Sequence, residues 1–329
     1  MEIVLQILLL IVGFVLLIKG ADLLIDGASS TASHFKVSKL LIGLTILAFG
    51  TSAPELAVSI SSLISGNTDM LIGNVIGSNI INILLLVGIA AIIHPIRVKK
   101  NTTVKKELPL LILISAVFIV LLLDMSLADA ETNLITRGDG LICLLFFCIF
   151  LYYIINMTRK NHKASATKDK TEVEPPKHKL GISILLIFIG LAGVAGGSEL
   201  VVSSASNIAT SIGISERIIA LTVVALGTSL PELVTTISAA RKGETELLIG
   251  NIVGSNIFNI CIVLGLPVAI FGSVTPESFQ IIDIAVFMLA TIVLWLFARI
   301  DQRISRLEGT IMVLIFLAYY GYIIYGALA

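Results

Sequence analysis

The chain has 329 residues, of which 57% are hydrophobic and only 13% are charged, and its formal net charge is zero. Soluble domains carry about 25% charged residues, so this composition excludes an ordinary soluble protein and indicates an integral membrane protein. Cys143, Cys148 and Cys261 all lie in apolar runs without metal-ligand spacing. They are predicted to be small core residues and to form neither a disulfide nor a metal site.

Ten apolar segments follow one another, each close to the roughly 20 residues that a spanning helix needs. Five precede a polar break, at 3–32, 38–64, 70–93, 107–124 and 138–157, and five follow it, at 180–210, 215–240, 246–271, 280–298 and 308–327. The break, 158–179, is rich in lysine and contains Pro175–Pro176, which is typical of a flexible tether. The chain is therefore predicted to be an all-α membrane protein with a first repeat at 1–157, a linker at 158–179 and a second repeat at 180–329.

The apolar segments contain a long internal repeat. Residues 42–82 align without a gap with residues 219–259, at an offset of 177, and 23 of the 41 positions are identical. Both copies contain a phrase that ends in glutamate, GTSAPE at 50–55 and GTSLPE at 227–232, and both close on a second phrase, GNVIGSNIIN or GNIVGSNIFN. Each copy therefore places one carboxylate, Glu55 or Glu232, within strongly apolar sequence.

The number of segments predicts how the two copies are related. Five segments precede the linker, so the second half starts on the opposite side of the membrane from the first. The halves are therefore predicted to be inverted five-helix repeats, as in many transporters. Inversion places equivalent residues on either side of the bilayer midplane, where Glu55 and Glu232 can meet.

The basic residues predict the orientation. With the 158–179 linker in the cytoplasm, 19 of the 22 basic residues fall in cytoplasmic loops, whereas only Arg137 and Arg217 fall outside. Cytoplasmic loops carry an excess of Lys and Arg. We therefore expect a multi-pass protein of the cell membrane with both termini outside.

Each glutamate phrase contains a proline that predicts a broken helix. Pro54 and Pro231 have no N–H, so the carbonyl groups of Gly50 and Gly227 lose their helical partners. Irregular backbone is tolerated in a membrane only where it faces protein or a water-filled cavity. Helices 2 and 7 are therefore predicted to be broken, with carbonyl groups at 48–51 and 225–228 free to coordinate a cation. A proline kink that serves packing alone is the alternative, and the duplication of the kink and its glutamate disfavours it.

Polar side chains are predicted to share helix faces with the glutamates. The faces comprise Thr51, Glu55, Ser59 and Ser62 in the first copy and Thr228, Glu232 and Thr236 in the second. The next helix of each copy carries a polar stripe, Asn74, Ser78 and Asn82 or Asn251, Ser255 and Asn259. Interhelical hydrogen bonding is the alternative role for such residues, and we expect it for Asn74, Asn79, Asn251 and Asn256.

Energetics indicate what the two glutamates require. A charged residue at mid-membrane costs about 2.5–3.5 kcal/mol on insertion scales, and two carboxylates about 4 Å apart would repel by about 4 kcal/mol at an effective dielectric constant of about 20. No Lys or Arg lies near either phrase in the sequence. The carboxylates must share protons or hold cations. Ca²⁺ accepts about six to eight oxygen ligands in flexible geometry, whereas Mg²⁺ demands octahedral order.

The paired phrases GTSAPE…GNVIGSNIIN and GTSLPE…GNIVGSNIFN resemble the two alpha-repeats of the sodium/calcium exchanger family in its prokaryotic form. The resemblance covers nearly the whole chain. It implies a secondary antiporter, not an enzyme, that exchanges about three Na⁺ for one Ca²⁺ by alternating access. It implies no cofactor beyond the transported ions, and we expect a protein that acts as a monomer in the lipid bilayer without nucleic acid.

The resemblance also implies the ion ligands. For Ca²⁺ they are the carboxylates of Glu55 and Glu232 and the carbonyl groups of Thr51 and Thr228. For Na⁺ they are the carbonyl groups of Ala48 and Ala225 and the hydroxyls of Ser52, Ser229, Ser78 and Ser255. Asn82 and Asn259 line the middle of the pocket. Some relatives, among them the potassium-dependent exchangers, have Asp at the position of Asn259, so Asn259 argues against a K⁺ requirement and leaves a site with formal charge −2.

A mechanism and three competing functions are considered. The first and sixth helices are hypothesised to slide against a core of helices 2, 3, 7 and 8, because they are long and contain glycines such as Gly20, Gly27, Gly196 and Gly197.

A Ca²⁺/H⁺ antiporter could use the same glutamates, although protons do not need Ser52 and Ser229. A cation channel fits inverted broken helices less well. An intramembrane protease would need paired Asp or a Ser/His set, neither of which is evident. Asp22 and Glu199, equivalent by the offset of 177, are expected to be structural.

Overall fold

The computed structural model describes residues 2–66, 68–127, 132–167, 175–212, 225–275 and 280–328. The middle of the predicted linker, 168–174, and the start of the predicted seventh segment, 215–224, lie outside the described residues. Within these limits the protein is a bundle of helices with one two-stranded sheet.

The first half consists of helices that begin at Glu2 and end at Thr167. The α-helices are α1 Glu2–Phe35, α2 Lys39–Ile42, α3 Ala48–Thr51, α4 Ala53–Ile64, α5 Thr68–Ile80, α6 Val87–Ile93, α7 Leu108–Leu122, α8 Asp124–Leu127 and α9 Arg137–Thr167. Three π-helices are interposed, π1 Gly43–Leu47, π2 Ile81–Leu86 and π3 Lys100–Glu107.

The second half repeats much of this order. Its α-helices are α10 Leu180–Ser211, α11 Ala225–Gly227, α12 Leu230–Arg241, α13 Thr245–Phe258, α14 Gly265–Phe271, α15 Ile281–Ile300 and α16 Arg306–Leu328, and its π-helix is π4 Asn259–Leu264. The π-helices π2 and π4 occupy equivalent places in the two copies of the repeat.

Seven helices in the described part of the chain are long and apolar enough to cross a membrane, and an eighth is counted if the bent pair Lys39–Thr51 and Ala53–Ile64 is one span. Two predicted segments do not meet this criterion. The segment 107–124 contains the shorter helix α7, and the segment 215–240 begins outside the described residues. The protein is therefore a multi-pass membrane protein, and the count of ten spans remains a prediction.

One predicted boundary differs from the structure. The fifth segment was predicted to end at 157 with a flexible tether after it, whereas α9 continues to Thr167. Five of the ten added residues are Arg, Lys or Ala and none is Gly or Pro, so the helix can continue although they lack an apolar stripe. The first part of the predicted linker is thus an extension of α9.

The helices α1 and α10 form a closely packed pair. A Cβ atom at Gly20 would lie 2.7 Å from the backbone nitrogen of Val194, and one at Gly190 would lie 2.6 Å from that of Leu24. Gly27 and Gly197 make similar close approaches to the opposite helix, as small residues do where membrane helices touch. These glycines therefore join α1 to α10, and the predicted sliding of the two helices against the core stays a prediction.

The helices that carry the second phrase of each repeat form the centre of the bundle. In the apolar windows of Thr245–Phe271 and Thr68–Ile93, 94% and 72% of residues are buried, compared with 17% in the window of Ile3–Phe35. Gly43 and Gly250 allow the two repeats to touch, since a Cβ atom on Gly43 would lie 2.5 Å from the carbonyl oxygen of Leu247. The repeated segments therefore pack directly against each other in the core.

Short backbone pairings join the loops of the two halves. Strand β1, Ile96–Arg97, pairs antiparallel with β2, Arg303–Ile304. A single bridge pairs Ile135 with Val274. Ile96, Ile304, Ile135 and Val274 are all fully buried, so these pairings fix the peripheral helices around the core.

Candidate ion-binding site

Both glutamate phrases interrupt their helices, and they do so with the same backbone geometry. Ser52 separates α3 from α4 with φ −87° and ψ 9°, and Ser229 precedes α12 with φ −88° and ψ 6°. The first break bends its helix by 43°. The prolines stand at the start of the following helix, where the missing N–H does not remove an internal hydrogen bond. The predicted breaks are therefore present in both copies.

The carbonyl groups at the breaks are less free than the sequence predicts. The carbonyl oxygen of Ala48 accepts a hydrogen bond from the N–H of Ser52 at 3.1 Å, because the first helix continues as far as Thr51. The carbonyl oxygen of Gly227, which Pro231 leaves without a helical donor, accepts from the hydroxyl of Ser198 at 3.0 Å. Each carbonyl oxygen has a second lone pair, so both groups can still face a cation.

The two glutamate side chains lie close together in the centre of the protein. Glu55 is 1% exposed and Glu232 is fully buried, and the carboxylates are near enough to interact electrostatically. Ser52 donates a hydrogen bond of 2.8 Å to Oε1 of Glu232. Both carboxylate oxygens of Glu55 and Oε2 of Glu232 have no hydrogen-bond partner. A buried carboxylate without such partners is costly, and a bound cation would satisfy it.

The hydroxyl groups of the two phrases have different partners. Thr51 donates to the carbonyl oxygen of Leu47 at 3.1 Å and also lies 3.4 Å from Oδ1 of Asn251. The hydroxyl of Ser229 is buried beside Glu55, in a contact that does not meet the geometry of a formed hydrogen bond. Thr228 is half-buried. For Ala225 the structure describes the backbone, which opens the short helix α11.

Most members of the polar stripe of the second phrase are buried. Ser78 is 3% exposed, and Asn82, Ser255 and Asn259 are fully buried. The hydroxyl of Ser255 and both amide atoms of Asn82 and of Asn259 have no hydrogen-bond partner. Buried amides nearly always have partners. Two equivalent amides left unsatisfied indicate side chains held ready for a ligand.

The π-helices bring each asparagine to the opposite repeat. Asn82 lies in π2, which packs against α12, the helix of Glu232. Asn259 lies in π4, which packs against α4, the helix of Glu55. Single π-helical turns occur frequently at functional sites. Each half of the site is therefore completed by the other repeat.

Four asparagines were predicted to serve packing, and the structure separates them. Asn74 donates to the carbonyl oxygen of Glu55 and to the hydroxyl of Ser59, both at 3.0 Å, which confirms an interhelical role. Asn79 and Asn256 donate instead to carbonyl oxygens one turn earlier in their own helices. Asn251 contacts Thr51 of the other repeat.

The ligands that the site offers are all oxygen atoms. The described residues contain no group of three or more His, Cys, Asp or Glu that could hold a metal ion, so two carboxylates supply the whole formal charge of −2. No described Lys or Arg forms an ion pair with either glutamate. Hard cations such as Ca²⁺ prefer carboxylate, carbonyl and hydroxyl oxygens. The chemistry of the site is thus that of a hard-cation site.

Ser198 is a site neighbour that the motifs alone did not reveal. It lies in α10, outside both phrases, and it binds the Gly227 carbonyl. The equivalent residue of the first half, at the offset of 177, is Ala21. The offset does not single it out, because Ser183, Ser203 and Ser204 of the same helix also lack a hydroxyl counterpart in the first half.

Comparison with known proteins agrees with this geometry. The family model for the sodium/calcium exchanger protein matches residues 5–156 and 182–325. The chain belongs to the sodium/calcium exchanger family. This membership makes it a membrane transporter and confirms the family that the two repeated phrases resemble.

The alignments with individual relatives cover nearly the whole length of this chain. The putative antiporter CaxA of Alkalimonas amylolytica is 38% identical over 312 residues, which cover 94% of this chain and 95% of the relative. The sodium/calcium exchanger MaX1 of Methanosarcina acetivorans is 30% identical and covers 96% of this chain and 98% of the relative. A solved structure of the exchanger NCX_Mj, soaked with Na⁺ and Sr²⁺, superposes with a TM-score of 0.81 at 31% identity, covering 96% and 98% of the two chains.

Proposed function

We propose that this family member is an antiporter that exchanges Na⁺ for Ca²⁺ across the cell membrane by alternating access. The observation that carries the proposal is the meeting of Glu55 and Glu232, one from each repeat, with three of their four carboxylate oxygens unsatisfied. MaX1 and NCX_Mj, both sodium/calcium exchangers, support the same pair of ions.

Each proposed ligand binds either Ca²⁺ or Na⁺ or lines the pocket between them. The carboxylates of Glu55 and Glu232 and the carbonyl groups of Thr51 and Thr228 bind Ca²⁺, which gives two bidentate and two single ligands, within the range of Ca²⁺ coordination. Flanking Na⁺ ions use the carbonyl groups of Ala48 and Ala225 with the hydroxyls of Ser52, Ser229, Ser78 and Ser255. The amides of Asn82 and Asn259 line the pocket between them.

The charge of the site makes the exchange electrogenic. With two carboxylates the site carries −2, so one Ca²⁺ gives a neutral complex and three Na⁺ give a complex of charge +1. Moving one elementary charge through the membrane potential is worth about 2.3 kcal/mol per 100 mV. Asn259 contributes no charge, which favours exchange that is independent of K⁺.

The proposed topology follows from the same repeats. Ten spans form two inverted five-helix halves, 1–157 and 180–329, with helices 2 and 7 broken at Ser52 and Ser229. The segment 158–179 lies in the cytoplasm, both termini lie outside, and a single chain forms the complete pathway. The equal backbone angles at the two breaks support the internal symmetry.

Reconstituted vesicles test the proposal. Purified protein in Na⁺-loaded vesicles is expected to accumulate labelled Ca²⁺ when the outside is free of Na⁺, and Glu55→Gln and Glu232→Gln are each expected to abolish the uptake. Ser65→Ala, at an exposed residue, is the control. Full uptake by either glutamine variant would remove the central role of the pair. Uptake driven by a pH gradient without Na⁺ would favour a Ca²⁺/H⁺ antiporter, and flux without any counter-ion would favour a channel.

A further inference from the structure

The pair of helices α1 and α10 packs unequally against the two repeats. Along α12, Leu230 and Val234 pack on a cluster that comprises Leu17, Ala21, Val194 and Val201. The equivalent residues of α4, at the offset of 177, are Ala53 and Ala57, and both are exposed. The face that α12 buries against the helix pair is therefore open on α4.

Charged contacts fasten the closed side. The ammonium group of Lys242, just after α12, lies 2.9 Å from Oδ2 of Asp26 and donates to the carbonyl oxygen of Asp22 at 2.7 Å. Ser238 donates to Oδ1 of Asp22 at 2.6 Å. Asp22 and Asp26 belong to α1, so these contacts join the helix pair to α12.

A second set of contacts lies next to the first. Glu244, in the turn between α12 and α13, accepts a hydrogen bond of 2.9 Å from Ser29 of α1. The same carboxylate forms an ion pair of 2.8 Å with Lys39 at the start of α2. Glu244 therefore extends the fastening from α12 to the helix that leads into the first glutamate phrase.

The equivalent residues of the other repeat lack the lysine and one of the two carboxylates that such contacts need. At the offset of 177, Lys242 corresponds to Ser65 and Asp26 to Ser203. Ser65 and Ser203 are exposed, and each hydroxyl donates to a carbonyl oxygen of its own helix. Glu199, the counterpart of Asp22, is exposed as well. The two repeats therefore contain the same residues at the ion site but different residues where the helix pair would pack against α12 or α4.

We propose that Lys242, Asp22 and Asp26 form an ionic latch that holds the α1–α10 pair against α12 and favours the state in which this side is closed. The inference rests on the proposed alternating access, since a latch acts only if the pair moves between the two repeats. A bound ion is not part of the latch. The latch changes only the ratio of two conformations, and the same residues form the ion site in both.

Partial exposure to solvent limits the strength of the latch. The side chains of Lys242 and Asp26 are 26% and 32% exposed, so solvent and salt screen their attraction. Loss of one such cluster is expected to change the ratio of the two conformations by about threefold to tenfold. High salt screens the same contacts, so it should also lower the fraction of molecules in the closed state.

Two reporter thiols read the conformation without any transport. Val234→Cys places a thiol under the helix pair, and Ala57→Cys places one at the equivalent open position. Both are made in a Cys148→Ser background, because Cys148 is the exposed native cysteine and Cys143 and Cys261 are buried. Labelling rates with N-ethylmaleimide are measured in detergent at low salt.

Replacing Lys242 with the residue of the other repeat tests the latch. Lys242→Ser is expected to raise the labelling rate at position 234 and to lower it at position 57, so that the ratio of the two rates changes by about threefold to tenfold. The exchange Asp26→Lys with Lys242→Asp is expected to restore both rates in part, because Asp22 then faces a like charge at position 242. Lys177→Ser is the matched control, since Lys177 lies 3.9 Å from the same Asp26 but is joined to α10, which moves with α1; it should leave both rates unchanged.

Specific outcomes overturn the latch. Unchanged rates at both positions in a folded Lys242→Ser protein, judged by its melting temperature and gel filtration, would do so. A rise of the labelling rate at both positions would also overturn it, because such a rise indicates general loosening of the structure and not a shift between two states. Because labelling requires no ion flux, failure of the latch is distinguishable from failure of the proposed exchange, which the Glu55→Gln and Glu232→Gln vesicles test separately.

Discussion

The hydroxyl of Ser52 donates a hydrogen bond of 2.8 Å to the carboxylate of Glu232, so the break in one repeat binds the acidic group of the other. The mirror-image pair, Ser229 and Glu55, lies close together but does not meet the geometry of a formed hydrogen bond. The two halves of the site are therefore equal in composition but unequal in geometry.

This inequality predicts different effects of the two serines. Hydrogen bonds to charged groups contribute about 1.5–3 kcal/mol, so Ser52→Ala is expected to raise the Na⁺ concentration for half-maximal exchange by about tenfold, and Ser229→Ala by less. Ca²⁺ affinity should change little in either variant, because no Ca²⁺ ligand is removed. Initial rates of labelled Ca²⁺ uptake at varied Na⁺ measure both. Equal effects of the two substitutions would contradict the prediction.

A carboxylate at position 259 should move the voltage dependence from one half of the cycle to the other. Asn259→Asp changes the formal charge from −2 to −3, so the complex with one Ca²⁺ becomes −1 and the complex with three Na⁺ becomes neutral. Exchange of Ca²⁺ for Ca²⁺ is therefore expected to be insensitive to voltage in the native protein and sensitive in the variant. Labelled Ca²⁺ self-exchange under an imposed K⁺ diffusion potential measures this.

The neutral substitution Asn259→Ser controls for the loss of the amide. It should leave Ca²⁺ self-exchange insensitive to voltage even if the rate falls. Sensitivity in the native protein, or its absence in a functional Asn259→Asp protein, would show that the site charge differs from that proposed.

The bond between Ser198 and Gly227 should tie the second repeat to the helix pair. Removing a buried neutral hydrogen bond costs about 1 kcal/mol, and Ser198→Ala leaves the carbonyl of Gly227 without this donor. We expect a lower melting temperature and a changed apparent Na⁺ affinity, with partial rescue by Ser198→Thr, which keeps the hydroxyl. Ser203→Ala, on the exposed side of the same helix, should change neither quantity.

Close packing of α1 and α10 makes one glycine of α10 sensitive and another tolerant. A Cβ atom at Gly190 would lie 2.6 Å from the backbone nitrogen of Leu24, whereas a Cβ atom at Gly181 meets nothing within 4 Å in the described part of the chain. Overpacking costs about 1–3 kcal/mol, so Gly190→Ala should lower the melting temperature by several degrees. Gly181→Ala should leave it unchanged or raise it slightly, since alanine favours helix. Equal melting temperatures of the two variants in detergent would show that α1 and α10 do not touch there.

Several interpretations required correction once the helices were placed. The carbonyl group of Ala48 was predicted to be free, but it accepts a hydrogen bond from the N–H of Ser52. Asn79 and Asn256 were predicted to bond to neighbouring helices, but each donates to a carbonyl oxygen of its own helix. In both cases the sequence identified a polar group correctly, and the partner depended on which acceptor or donor lay within reach in the folded chain.

The sequence alone determined the membrane class, the duplicated phrases, the helix breaks and the acidic pair, because hydropathy, proline and unpaired charge act within a few residues along the chain. Only the tertiary structure decided which oxygens are satisfied. Ser52 binds Glu232, Ser198 binds Gly227, and Asn82 and Asn259 remain without partners. These outcomes depend on distances between segments far apart in sequence, and a hydrogen bond is lost within about 1 Å of its preferred length.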